Sequence, residues 1–140
     1  MKKNNIYSTL IDLSETMLLF NKLLLEKHKI QIYSFHILHL SNTEKGIPIK
    51  KIKERLWISS ASLSRMLSNL YKKERIERNF SKNWDKRQIY ITLSETWQEK
   101  LKEIQIDIEH RITQQNTQIG KVDTNQFTEN LKLALKVNVS

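Results

Sequence analysis

The chain contains no cysteine, a single proline and only two glycines in 140 residues. Without cysteine there is no disulfide framework, no thiolate zinc site and no thiol-based redox switch. Scarce proline and glycine mean little punctuation, so long helices with short connections are expected. Uninterrupted hydrophobic runs are missing too. Leu10 to Leu25 is apolar-rich, but Asp12, Ser14, Glu15, Asn21 and Lys22 break it. A membrane span is thereby excluded, and the first residues lack the small-residue cleavage site of a signal peptide. A soluble cytoplasmic protein of one domain, large enough to bury a core without staples, is the expectation.

Charge of one sign is abundant, and it is unevenly placed. Between Glu44 and Tyr90 thirteen Lys/Arg face five Asp/Glu, a net of +8 within a chain whose total is +9. The 43 residues before this stretch net +2, and the 50 after it net −1. Charge focused in this way on one short segment suits a surface that faces phosphates.

Residues 6 to about 28 carry a heptad-like stripe of Ile6, Leu10, Leu13, Met17, Phe20 and Leu24. Tyr7, Ile11, Leu18 and Leu25 form a second stripe beside it, so this helix is expected to pack against two partners, its own domain and a second subunit; a helix buried within one chain is the alternative. A second helix follows from Ile32 to Ser41, and Asn42 to Gly46 reads as a polar turn. The next helix spans about Pro48 to Leu56, with Ile49, Ile52 and Leu56 on one face. Trp57-Ile58 is a short turn, and Ser59 is a good N-cap for a helix from Ser60 to Lys73. Its inner face is Leu63, Met66, Leu67 and Leu70. Two short helices joined by a tight turn make a helix-turn-helix.

Ile76 to Asn79 and Gln88 to Leu93 read as strands, the second with Ile89, Ile91 and Leu93 alternating with polar residues. The loop between them, Phe80 to Arg87, is polar and basic. Ser94 is expected to cap a long helix carrying Trp97, Leu101, Ile104, Ile108 and Ile112, with Thr92 and Glu95 a competing capping box. Gln114 to Val122 is a polar turn region, and a last helix starts near Asp123 and carries Phe127, Leu131 and Leu135. The fold class is mainly α with a small β-hairpin wing: a winged helix-turn-helix over 31–94, flanked by a helical dimerisation region formed from 1–30 and 95–140.

The order of these elements resembles the MarR (multiple antibiotic resistance regulator) family of winged-helix regulators over about Ile6 to Leu135. Ile52, Leu56, Ser59 to Leu70, Lys72-Lys73, Ile76 and Arg78 carry the likeness. So does Asp85-Lys86-Arg87 ahead of Leu93-Ser94, which is similar to the family's D-x-R wing. Two positions depart, since the family usually has glycine where this chain has Trp57 and Glu74; stiffer turns are expected there.

A major groove admits one helix whose exposed face is polar and compact. Ser60, Ser62, Ser64, Arg65 and Asn69 meet that description. Arg65 is the candidate for direct readout, because its planar fork pairs with guanine; the serines suit phosphate or water-mediated contacts. A solvated helix face is the bland alternative for each residue alone. In the wing, the resemblance implies that Arg87 enters the minor groove. Asp85 would hold the wing rather than touch DNA, and Lys82 and Lys86 would meet phosphates. Trp84 is read as packing back on the wing. Lys50, Lys51, Lys53 and Arg55 add charge without individual assignments.

The implied function is a sequence-specific DNA-binding transcriptional regulator, a repressor, reading a pseudo-palindromic operator as a homodimer. The resemblance also implies a small-molecule effector between dimerisation and DNA-binding regions, where residues of the kind of Tyr7, His36 and Arg111 act. Other readings are a winged-helix module for protein–protein assembly and a metal-responsive relative. His36 and His39 sit one helical turn apart, but a zinc sensor needs three or four converging ligands. No phosphate-binding glycine loop, H-E-x-x-H motif or cysteine nucleophile is present, so neither an enzyme nor a cofactor is expected.

Overall fold

A computed structural model describes the backbone of residues 5–80 and 88–115 and the side chains of those residues up to 111. The chain divides into two compact units, Met1–Ile104 and Gln105–Ser140. In the first, α1 (Ile6–His28) and α2 (Ile32–Ser41) precede a two-residue strand, β1 (Ile47–Pro48). Then come α3 (Ile49–Leu56), α4 (Ser60–Lys72), β2 (Ile76–Phe80), β3 (Ile89–Leu93) and α5 (Glu95–Gln115), which runs on into the second unit. The described part of that unit is the last stretch of α5, braced by Gln105–Glu109 and Arg111–Asp107 contacts one turn apart, at 2.9 and 3.0 Å. The expected last helix, the turn region from residue 116 onward and the wing tip at residues 81–87 lie outside the described residues. Among the described residues no helix is long and apolar enough to cross a membrane.

The core follows the apolar periodicities. Leu24 and Ile30 at the α1 end, Ile37 and Leu38 of α2 and Ile52 of α3 are all essentially inaccessible. Leu63, Leu67 and Leu70 bury one side of α4, while Met66 is half-buried at its margin. In β3, Ile91 and Leu93 point inward, as the alternation expected, and Leu101 and Ile104 seat the start of α5. At roughly 1.5–3 kcal/mol per buried aliphatic side chain, this cluster is the main source of stability. α2 packs on α1, α3 and β3.

The sheet departs from the sequence expectation. Instead of a hairpin alone it has three antiparallel strands in the order β1-β3-β2. Ile47 pairs with Ile91 and Pro48 with Tyr90 on one edge of β3, while Ile76 to Phe80 pair with Leu93 to Ile89 on the other. Two residues are too few for a period-2 pattern, so β1 leaves no signal in the sequence. Pro48, expected inside α3, is instead its N-cap, in extended conformation at φ −63° and ψ 142°. Gly46 makes the approach of β1 to β3 feasible: its φ is +80°, and a Cβ there would lie 2.9 Å from the Ile91 carbonyl oxygen and 2.8 Å from Thr92 Cγ2.

Among the described residues three that are not glycine adopt left-handed backbone: Lys29 (φ 56°), Trp57 (φ 54°) and Glu74 (φ 56°). Each follows the end of a helix, where that conformation lets the chain turn back on the last carbonyls. Ile30 N–H donates to the Leu24 carbonyl at 3.3 Å, Trp57 N–H to Lys53 at 3.1 Å, and Arg75 N–H to Leu70 at 3.0 Å. Trp57 and Glu74 are the two positions where glycine was expected by resemblance. The backbone keeps the glycine-like conformation without the glycine, and the helices still end at Leu56 and Lys72. The start of α5 differs in chemistry rather than place. Ser94 precedes it, and its carbonyl accepts from Trp97 and Gln98 N–H, both at 3.1 Å, but its buried hydroxyl has no hydrogen-bond partner and does not cap the helix.

Two substitutions at these special positions should move stability in opposite directions. In Gly46→Ala the carbonyl of a central strand cannot yield, so the loss should be about 2 kcal/mol or more, well above the ~0.4–1 kcal/mol gained by restricting the unfolded chain. Glu74→Gly relieves ~1–2 kcal/mol of left-handed strain at an exposed site against a smaller entropic cost, for a net gain of about 0.5–1 kcal/mol. Urea unfolding of the two variants checks both signs.

Candidate nucleic-acid interface

α4 is set at its start by Ser59, whose hydroxyl accepts from the Ser62 N–H at 3.1 Å. Its apolar residues recur at three- and four-residue steps and bury Leu63, Leu67 and Leu70. Helical geometry then turns Ser64, Arg65 and Ser68 away from the core. Ser60, Ser64, Arg65 and Asn69 are all exposed, and Ser62 is half-buried. Ser68, also exposed, completes the same face one turn beyond Ser64. It was missed as a candidate, although the spacing from Ser60 and Ser64 carries the signal. No acidic side chain stands on α4, so its outer surface is polar and cationic along its length.

Arg65 is partly ordered: its Nη2 donates to Ser62 Oγ at 3.3 Å, and the Ser62 hydroxyl lies 3.0 Å from that of Ser59. The N-cap and the candidate reading residue therefore belong to one short chain of hydrogen bonds, which limits the rotamers that Arg65 must give up on binding. On α3, Lys50, Lys51, Lys53 and Arg55 are exposed, extending the positive surface beside α4.

Behind the face, two arginines tie α4 to the sheet and to α5. Arg78 lies over the Tyr71 ring at 4.6 Å, and Arg75 over the Trp97 ring at 4.3 Å. Arg75 also accepts at its carbonyl from Ser94 N–H, at 2.9 Å. Desolvation by burial lowers the Arg75 pKa below the usual arginine value, but a guanidinium stays charged at neutral pH. The residues Lys82, Asp85, Lys86 and Arg87, and Trp84 with them, lie outside the described residues.

The remaining candidates do not converge on a metal. His36 and His39 meet edge to face with ring centroids 6.3 Å apart. Among the described residues no group of three or more His, Cys, Asp or Glu is placed to hold a metal ion. Tyr7 is largely exposed, and Arg111 pairs with Asp107.

A sequence profile described as transcriptional regulator SarA/Rot matches residues 19–104. No curated protein matches the chain. Among solved structures, a MarR/EmrR family transcriptional regulator from Acinetobacter sp. ADP1 is similar at 26% identity, with 94% of each chain covered and a TM-score of 0.69. The S. aureus MepR–DNA complex is similar at 21% identity, over 96% of each chain, with a TM-score of 0.61. NadR in complex with 4-hydroxyphenylacetate is similar at 18% identity, covering 100% of this chain and 97% of that one, with a TM-score of 0.72. These last two likenesses are of fold.

Ser59→Ala should cost about 1 kcal/mol of stability, the usual loss when a serine cap is removed. Ser59→Asp should retain most of it, because a carboxylate accepts the same N–H. Thermal unfolding of the pair is the check.

Proposed function

Because the chain belongs to the SarA/Rot family of transcriptional regulators, winged-helix proteins related to the MarR family, we propose that it is a sequence-specific DNA-binding repressor. One observation supports this reading above the others: α4 presents an exposed face of serines, Arg65 and Asn69 with no carboxylate on the helix, beside the cationic α3. Such a face suits a major groove, where the guanidinium fork of Arg65 pairs with guanine O6 and N7. Ser60, Ser62 and Ser64 would meet phosphates or bridging waters. In the wing, Arg87 would enter the minor groove, Lys82 and Lys86 would contact phosphates, and Asp85 would brace the loop. The DNA complex of the structurally similar MepR supports this mode of use.

The operator would be a pseudo-palindrome read by a homodimer, with half-sites about one helical turn apart. Residues 1–30 and 95–140 would form the dimerisation region and 31–94 the DNA-binding domain. α1 supports this division, because Ile6, Tyr7, Met17, Leu18 and Leu19 are each more than half exposed. That much apolar surface on one helix is costly to leave in water. A small-molecule effector between the two regions is a further part of the reading, supported by the NadR complex with 4-hydroxyphenylacetate. In this reading the protein would act in the cytoplasm and would need no catalytic activity of its own.

Two variants test the proposal. Arg65→Ala should weaken operator binding by about 1–3 kcal/mol and relax preference at one base position in each half-site. Leu18→Glu should shift the protein to a folded monomer in sedimentation and lose tight operator binding. Retention of wild-type DNA affinity by both Arg65→Ala and Arg87→Ala, with a protein partner still bound, would favour a protein–protein assembly module instead.

A further inference from the structure

A cleft of about 390 Å³ lies within the first unit, where the end of α1 and the turn into α2 face the second half of α4 and the start of β2. Four cations line it: Lys29 from the turn, Arg65 and Lys73 from α4 and its C-cap, and Arg75 at the entry to β2. Among the described residues no carboxylate lines it. Each cation is oriented by a neutral neighbour where it is held at all. Lys29 Nζ donates to the Glu26 carbonyl at 3.1 Å, Arg65 to Ser62 Oγ at 3.3 Å, and Arg75 stacks on Trp97. Among the described residues none of the four is ion-paired, although the protein does make such pairs elsewhere, as Arg111–Asp107 shows.

Four cations converging from three separate segments, with no ion pair among the described residues, repel one another, and this repulsion is relieved when an anion enters. The left-handed backbone at Lys29 and Glu74 brings two of these segments round: it turns the chain at the end of α1 and again between Lys73 and Arg75. Asn69 adds an amide to the lining. A carboxylate would neutralise one charge and offer two oxygens. A phosphate offers up to two charges and three acceptor oxygens, and the planar forks of two arginines match it bidentately.

We propose that this cleft is a phosphate-binding site, filled either by a backbone phosphate of bound DNA or by a free phosphate or phosphate monoester. The significance of either source rests on the DNA-binding reading above, because Arg65 and Asn69 belong both to the cleft and to the outer face of α4. A DNA phosphate held here by Lys29, Lys73 and Arg75, with Arg65 left to the groove, would lock the recognition helix at its C-terminal half. A free phosphate monoester would draw Arg65 away from the groove and oppose DNA binding.

Lys29→Gln/Lys73→Gln removes two exposed cations and touches neither the core nor the proposed base-reading residues. Lys50→Gln/Lys51→Gln on α3 is a control of equal charge. Inorganic phosphate is the probe, compared with chloride at matched ionic strength and pH. If the source is a free anion, phosphate raises the wild-type Tm by several degrees beyond chloride, and the Lys29/Lys73 variant loses this shift while the control keeps it. If the source is DNA, there is no such shift, but the Lys29/Lys73 variant lowers the slope of log K against log salt by about one, equally on operator and random duplex. The site is overturned if phosphate acts no differently from chloride and the salt slope is unchanged, or if the control loses the phosphate shift to the same extent. The unfolding measurement needs no DNA, so a wild-type protein that fails to bind DNA yet shows the phosphate shift would sink the regulator reading and leave the site standing.

Discussion

β3 is the strand on which the remaining arrangement depends. It pairs with β1 on one side and β2 on the other, and its Ile91 is fully buried. β1 leads directly into α3, and β2 leads directly out of the turn after α4. The helix-turn-helix is thus held at its entry and its exit by the same strand. Ladder hydrogen bonds fix the register at both edges, and a one-residue slip would turn Ile91 and Leu93 out of the core. The absence of a side chain at Gly46 matters for the same reason, since β1 reaches β3 only where nothing obstructs the Ile91 carbonyl.

Burial and charge are divided cleanly along α4. One side contributes leucines to the core, and the other, Ala61 apart, carries small polar residues and cations. The second side gains nothing for folding, because an exposed arginine and a row of serines stabilise a helix little. Two left-handed turns, at Trp57 inside the helix-turn-helix and at Glu74 beyond it, flank α4 without glycine. A β-carbon at such a position costs free energy that the surrounding packing must offset. The cation–π contacts of Arg75 and Arg78 lie beside the second turn, and Ser94 N–H binds the Arg75 carbonyl, so the strained segment is anchored to α5.

Much of this was legible in the residues because it rests on strong periodicities. The three- and four-residue steps of Leu63, Leu67 and Leu70 and the alternation of Ile89, Ile91 and Leu93 leave little choice of element or of buried face. Ser59 was legible as a cap, since its hydroxyl has one obvious backbone donor within reach. Ser94 looked the same in sequence, but its hydroxyl is buried without a hydrogen-bond partner and caps nothing. β1 was not legible, because two residues have no period and Pro48 reads equally well as a helix start. The cationic cleft was hidden for a different reason: Lys29 is distant in sequence from Arg65, Lys73 and Arg75, and only the fold brings them together. The wing residues Lys82, Asp85, Lys86 and Arg87 remain on the footing of resemblance to the MarR family.

The central claim is that the charge gathered between Glu44 and Tyr90 serves a specific DNA face rather than general solubility. Fluorescence anisotropy with duplex from the promoter of the protein's own gene, against excess random competitor and across a salt series, tests it most directly. Competitor-resistant binding whose affinity falls steeply with salt is the expected result, because phosphate contacts release counterions while base contacts resist competition. Weak binding that random duplex removes completely, on this promoter and on duplexes selected from a random pool, would contradict it.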